Sequence, residues 1–353
     1  MARFIHVLHK LGIAFAVVLT GCLVAPARSD EVQYLPGGCA IVYSIDLPAV
    51  LKSKTYQEVK KQLPEFNDVL EGDIAKNFGV PLANIARITG GAGAEQRDFC
   101  FVITTIKPIK AGEIVATLTK ARPNDYRKNL VYKQVKVGPY TVYEENFQLD
   151  FEIKEKGDKA AVITGEAFCV VEDKRVVHGR LETLKPILAD RDKPAPSPGV
   201  QAGLKHTGYS SVLTIAFDPR AMPMREREAM VKELGPIFPG LEDGLDNVKA
   251  LTLRVSETDK IQVAGTILCS DAATAPVAKR IAEAGRGKLK ELTKEINERD
   301  LAEFLRTSLD AVKLSVKGSQ VNAEVAIAPA TAVSMLRYVM PQKKEKKPAS
   351  VEK

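Results

Sequence analysis

The sequence predicts an α+β protein of two similar units, each an antiparallel sheet with helices layered on one face. Three observations predict it. Helical runs alternate with hairpin-like strand pairs, the layout of helices packed over antiparallel sheets. Residues 321–327 (Val-Asn-Ala-Glu-Val-Ala-Ile) alternate strictly, as a strand with one wet face does. The order of elements after residue 203 repeats the order before residue 191, an internal duplication. With 353 residues, 45% apolar and 27% charged, the chain has the composition of a globular protein and the length of two domains.

Residues 1–29 read as a signal peptide. Arg3 and Lys10 precede an apolar run at 11–19, and no acid occurs before Asp30. The run falls short of the roughly 20 apolar residues that a spanning helix needs. Two cleavage readings stand side by side. Leu19-Thr20-Gly21-Cys22 resembles a lipobox, which makes Cys22 the candidate lipidation site and gives the protein a lipid anchor. Ala25-Pro26-Ala27 and Ala27-Arg28-Ser29 instead suit ordinary signal cleavage.

The first unit is expected over residues 30–190. A strand at 40–46 ends on Asp46 with Pro48 beyond it, which is helix-start chemistry: the carboxylate accepts orphan N–H groups, and proline's missing donor costs nothing there. Phe66, Val69, Leu70, Ile74 and Phe78 mark one face of a helix that Gly79 and Pro81 stop. Strands at 86–89 and 99–106 flank Gly90-Gly91-Ala92-Gly93, expected as a hairpin turn. A helix is expected at 113–121 and strands at 140–144, then a hairpin about Gly157-Asp158. Strands at 167–171 and 176–177 turn through Asp173-Lys174, and a helix at 181–188 closes the unit.

Residues 191–203 carry Pro194, Pro196 and Pro198, a pattern read as an extended linker. The second unit, 204–341, repeats the theme. A strand at 212–218 ends on Asp218-Pro219, and a helix spans 224–234. Strands follow at 251–255 and 261–269, then helices at 275–284 and 288–305. A strand pair at 312–316 and 321–327 turns at Lys317-Gly318, and a closing helix lies at 329–339. Residues 342–353 form a basic tail without apolar content, expected to be disordered.

Tyr34-Leu-Pro-Gly-Gly38 before the Ile-Val-Tyr-Ser-Ile-Asp strand, the stretch Ala167-Phe-Cys-Val-Val-Glu-Asp-Lys-Arg-Val-Val-His178-Gly and the duplicated layout resemble secreted tandem α+β proteins of unknown function of the planctomycete type. The resemblance implies an extracytoplasmic location, periplasmic or in the cell envelope, and no known activity.

Chemistry is sparse. After the leader only His178 and His206 remain, so no His-rich metal site can form, and no H-E-x-x-H or G-x-S-x-G motif occurs. The glycines at 90–93 lack the following helix and Gly-Lys-Ser/Thr that a phosphate loop requires. No cofactor is expected. Cys39, Cys100, Cys169 and Cys269 sit in β-type runs without C-x-x-C spacing, as buried small hydrophobes do. Cys39 and Cys100 are the candidate disulfide if their strands are neighbours. The net charge of +7 falls to +5 without Arg3 and Lys10, and to about +2 without the five Lys and two Glu of the tail. No basic stripe carries interleaved aromatics, so nucleic acid is not an expected partner. The expected partner is an unknown protein or envelope component, with membrane contact only through the lipid anchor or the basic tail. The function expected is that of an exported non-catalytic envelope protein, an interaction or structural module. A binding protein for a small apolar or lipid-like ligand is the alternative, and an enzyme of unrecognised type a third.

Overall fold

A computed structural model describes residues 31–93, 99–121, 127–149, 163–189, 196–207 and 211–339. The leader with Cys22, the Gly157-Asp158 turn, residues 191–195 and the basic tail lie outside these residues, as do the side chains of Phe66 and Val69.

The architecture is α+β. Twelve antiparallel strands form one sheet: β1 (Ile41–Asp46), β2 (Ile85–Ala92), β3 (Phe99–Thr105), β4 (Arg127–Val137), β5 (Tyr140–Leu149), β6 (Ile163–Glu172), β7 (Arg175–Gly179), β8 (Leu213–Phe217), β9 (Val248–Glu257), β10 (Ile261–Cys269), β11 (Lys313–Lys317) and β12 (Gln320–Ile327). Their spatial order is β11-β12-β10-β9-β8-β1-β2-β3-β7-β6-β5-β4. The eleven described helices are α1 (Leu47–Lys52), α2 (Lys54–Gln62), α3 (Pro64–Phe78), α4 (Ala111–Ala121), α5 (Leu181–Ala189), α6 (Pro198–Thr207), α7 (Met224–Leu234), α8 (Leu241–Leu245), α9 (Ala275–Leu292), α10 (Arg299–Ala311) and α11 (Pro329–Val339).

The two expected sheets are therefore joined edge to edge. β1 pairs with β8 in the register Ile41↔Phe217, Tyr43↔Ile215 and Ile45↔Leu213. Backbone bonds from Asp218 N to Ala40 O (2.8 Å) and from Asp46 N to Val212 O (2.9 Å) carry the ladder past both strand ends. An exposed strand edge is a row of unmet donors and acceptors. Each half meets those of the other. Outward from the seam the strand order runs β1-β2-β3-β7-β6 on one side and β8-β9-β10-β12-β11 on the other, with the β5-β4 hairpin added beyond β6.

Helices cover both faces of the first half, whereas one face was expected. Strand alternation explains this: neighbouring residues point oppositely, and both are apolar. Val102 and Val177 pack beneath α5 with Leu181, Leu184 and Leu188, while Ile103 and Val176 join the core under α1, α3 and α4 with Val50, Ile74, Ile114 and Leu118.

Three further expectations change. Gly90, Gly91 and Ala92 belong to strand β2, not to a turn. A Cβ on Gly90 would lie 2.3 Å from Cζ of Tyr43, so glycine there leaves room for that ring. The described part of the proline-rich stretch, from Pro196 on, is built into the fold: Cys39 bridges Pro196, and Pro198 opens helix α6, where its fixed φ and absent donor suit the first turn. The helix expected over 288–305 is two helices. α9 runs on to Leu292, a 3₁₀ turn follows over Thr293–Glu295, and α10 begins at Arg299.

Candidate functional site

Most buried polar groups are tied into the fold. Asp46 accepts from Ala49 N (2.9 Å) and caps α1. Asp218 accepts from Arg220 N, Ser197 Oγ and Gly199 N, each at 3.0 Å, so one carboxylate serves the turn after β8 and the start of α6. Glu31 accepts from Thr89 Oγ1 and Thr104 Oγ1, both at 2.6 Å, and Arg87 lies 3.7 Å from Glu31 and 3.5 Å from Asp46. Glu257 of β9 accepts from Thr55 N (3.2 Å) and Thr55 Oγ1 (2.6 Å) of α2, a bond across the seam. Burial pushes its carboxyl above the ordinary range, opposed by the N–H groups of Thr55 and Lys54.

Three adjacent acidic pairs, Glu144-Glu145, Glu172-Asp173 and Glu242-Asp243, lie in separate places. Glu145 accepts from Tyr132 Oη (3.0 Å), and Glu172 from Tyr34 Oη (3.0 Å) and Arg175 (2.9 Å), while Glu242 and Asp243 are exposed in the first turn of α8. His178 in β7 stacks on Phe168 (5.5 Å) and meets Phe78 edge-on (5.6 Å). His206 lies in the last turn of α6.

The four described cysteines are free thiols. The proposed Cys39–Cys100 disulfide fails its own condition, because β2 lies between β1 and β3. Cys100 Sγ is instead 3.4 Å from the carbonyl oxygen of Tyr34, a weak hydrogen bond. Burial pushes Cys39 and Cys169 up to about 12, and it raises Cys100 and Cys269 as well. Such thiols are poor nucleophiles. Among the described residues no group of three or more His, Cys, Asp or Glu could hold a metal ion, and no helix is long and apolar enough to cross a membrane.

Two open surfaces lie in the second half. On one face a groove of about 390 Å³ runs between α10, α11 and the end of β12. Its floor includes Phe304, Ile327 and Met335, and its rim carries Asp300, Glu303 and Thr331. Beside it, α9 and α10 cover the strands thinly. Leu251 and Leu253 of β9, Val263 and Ile267 of β10, Val325 of β12 and Leu314 of β11 are only half-buried, and Val316 is 40% exposed. On the opposite face, beyond the end of α6, a polar hollow of about 100 Å³ is lined by His206, Thr252, Arg254, Thr266, Asn322 and Glu324, among others.

The sequence reading did not single out any residue of these surfaces except His206. Their signal was present in the alternation of 321–327, whose wet face carries Asn322 and Glu324. Which residues of β9 and β10 join them depends on register.

No protein-family model and no curated protein matches the chain. Among solved structures, crystal form I of TP0453 is similar over 89% of this chain and 99% of that one, at 10% identity and a TM-score of 0.41. A likeness at that score carries no argument about function.

Proposed function

We propose that this chain is an exported, non-catalytic protein of the cell envelope that acts as an interaction module through its second half. One observation carries the reading. The apolar rows of β9 to β12 stay half-covered under α9 and α10, while the buried carboxylates described above are engaged in capping and in holding strands together. Contiguous apolar surface on a folded protein marks a contact site more often than it marks neglect. The leader-like N-terminus, the likeness to secreted planctomycete-type proteins and the matched strand order about the seam, read as an internal duplication, support export and a repeated architecture.

The test uses the full chain with a photo-crosslinking side chain at Val316 or Val277, both exposed in the second half, or at Ile106 in the first. In intact cells the reading expects the protein outside the cytoplasm and cross-linked products from Val316 or Val277 only. Retention in the cytoplasm would sink the export reading, and equal products from Ile106 would sink the assignment to the second half.

A second reading, a small apolar or lipid-like ligand, is favoured by the α10/α11 groove, whose volume falls in the range of small-molecule sites, about 300–1,000 Å³. A fluorescent fatty acid should bind the wild type and lose most of its affinity to Phe304→Asp. Equal binding by both proteins would remove this reading.

A further inference from the structure

We propose that the polar hollow beyond the end of α6 binds a small zwitterion, of the size and charge of an α-amino acid. The site lies on the face opposite the α10/α11 groove and stands apart from any apolar ligand there.

Register builds it. Thr252, Thr266 and Asn322 form one cross-strand row on β9, β10 and β12, and Arg254, Ala264 and Glu324 form the next. Ala264 thus separates a cation from an anion by two strand spacings, roughly 9.6 Å between backbones. The small side chain between them leaves a gap that neither neighbour fills. Among the described residues Arg254 and Glu324 make no ion pair, with each other or elsewhere. Lys313, which faces Glu324 from β11, makes none with it either. An anion alone would meet Glu324, and a cation alone would meet Arg254. A molecule carrying both charges suits both residues.

The second observation is independent of charge. Thr252 lines the hollow and is 6% exposed, yet its hydroxyl has no hydrogen-bond partner among the described residues. Other buried hydroxyls of the same face are bonded: Thr89 to Glu31, Thr214 to Ser211 and Ser44 to Thr89. Folded proteins rarely leave a buried hydroxyl unmet; the Thr252 hydroxyl is closed to solvent, so a polar group in the hollow would meet it once the side chain turns toward the ligand. Beside it Thr266 Oγ1 lies 3.0 Å from Asn322 Oδ1, which leaves the Asn322 amide hydrogens for a carboxylate. The volume of about 100 Å³ admits a ligand of a few heavy atoms and excludes nucleotides, sugars and acyl chains.

The experiment titrates isotopically labelled full-length protein with glycine, L-alanine, acetate and methylamine, following backbone amide resonances. Glycine or alanine should shift Thr252, Gly265, Thr266 and Asn322 saturably. Acetate and methylamine should each bind about tenfold or more weakly, because each leaves one charge unmet. Arg254→Ala and Glu324→Gln should each weaken glycine binding by about tenfold or more, and Thr252→Val by about fivefold. Both charged positions are exposed, so unchanged melting would certify that these two variants fold. The absence of saturable shifts with either amino acid would overturn the proposal. So would acetate binding as tightly as glycine, or an Arg254→Ala protein that binds glycine undiminished.

Discussion

The two halves of the sheet use the same strand order outward from β1 and β8, yet they bury their side chains differently. In the first half both faces are closed about β2, β3 and β7: β7 has four successive buried residues, and Leu184, Ile103, Val176 and Val177 are fully buried. In the second half β10 is buried only at its two ends, α7 buries nothing, α9 buries only Ala275 and Gly285, and α10 only Phe304. Strand pairing therefore sets the frame of both halves, while helix seating decides whether a half is closed core or accessible surface. A closed half is suited to hold a scaffold; a half-covered one leaves apolar and polar groups for something else to contact.

The strongest attack on this contrast is at Arg87, which lies between Glu31 and Asp46. Arg87→Ala would leave two buried carboxylates without their cation and should cost about 3–5 kcal/mol in denaturant unfolding. A cost near that of a surface substitution would show that the first half is not held in this way.

Next in size is a matched pair of truncations. Leu184→Ala in the closed half should cost about 2–5 kcal/mol, and Leu253→Ala in the half-covered half about 1 kcal/mol. Equal losses in chemical denaturation would abolish the comparison.

A smaller effect concerns opening. All four described thiols are buried, with pKa values raised by burial, so alkylation near neutral pH must await local unfolding. Cys269, beneath α9 in a small cluster with Ala275 and Val321, should react about tenfold or more faster than Cys39, Cys100 and Cys169. Mass spectrometry of single-cysteine variants measures this directly, and uniform rates would mean that the halves open together.

The smallest effect tests the seam. The folded-state pKa of Glu257 is raised, so its contribution to stability is present below the unfolded value near 4.5 and is lost as pH rises through the folded value. Glu257→Gln should flatten that fall in the weakly acidic range while leaving stability at lower pH nearly unchanged. A fall of equal slope in the variant would assign it to another group.

Much of the frame was legible in the residues. Asp46 and Asp218 with their following prolines announced helix starts, and both carboxylates accept the expected backbone N–H groups. The closing helix begins at Pro329 and ends at Val339, as its pattern indicated. The reading failed where a local signal had a tertiary use. Glycines 90 and 91 resemble a turn, yet they sit in a strand, where Gly90 makes room for the Tyr43 ring. Prolines 194 to 198 resemble a free linker, yet Pro196 bridges Cys39 and Pro198 starts a helix.

Composition and periodicity alone determined that the chain is α+β, where its strands alternate and where most of its helices begin, because those properties depend on residues a few positions apart. Tertiary structure decided that two sheets become one, that helices close both faces of the first half, and that Thr252, Arg254, Thr266, Asn322 and Glu324 meet in one hollow. Each of these depends on register between strands far apart in the chain, and a shift of one residue would turn every such side chain to the other face.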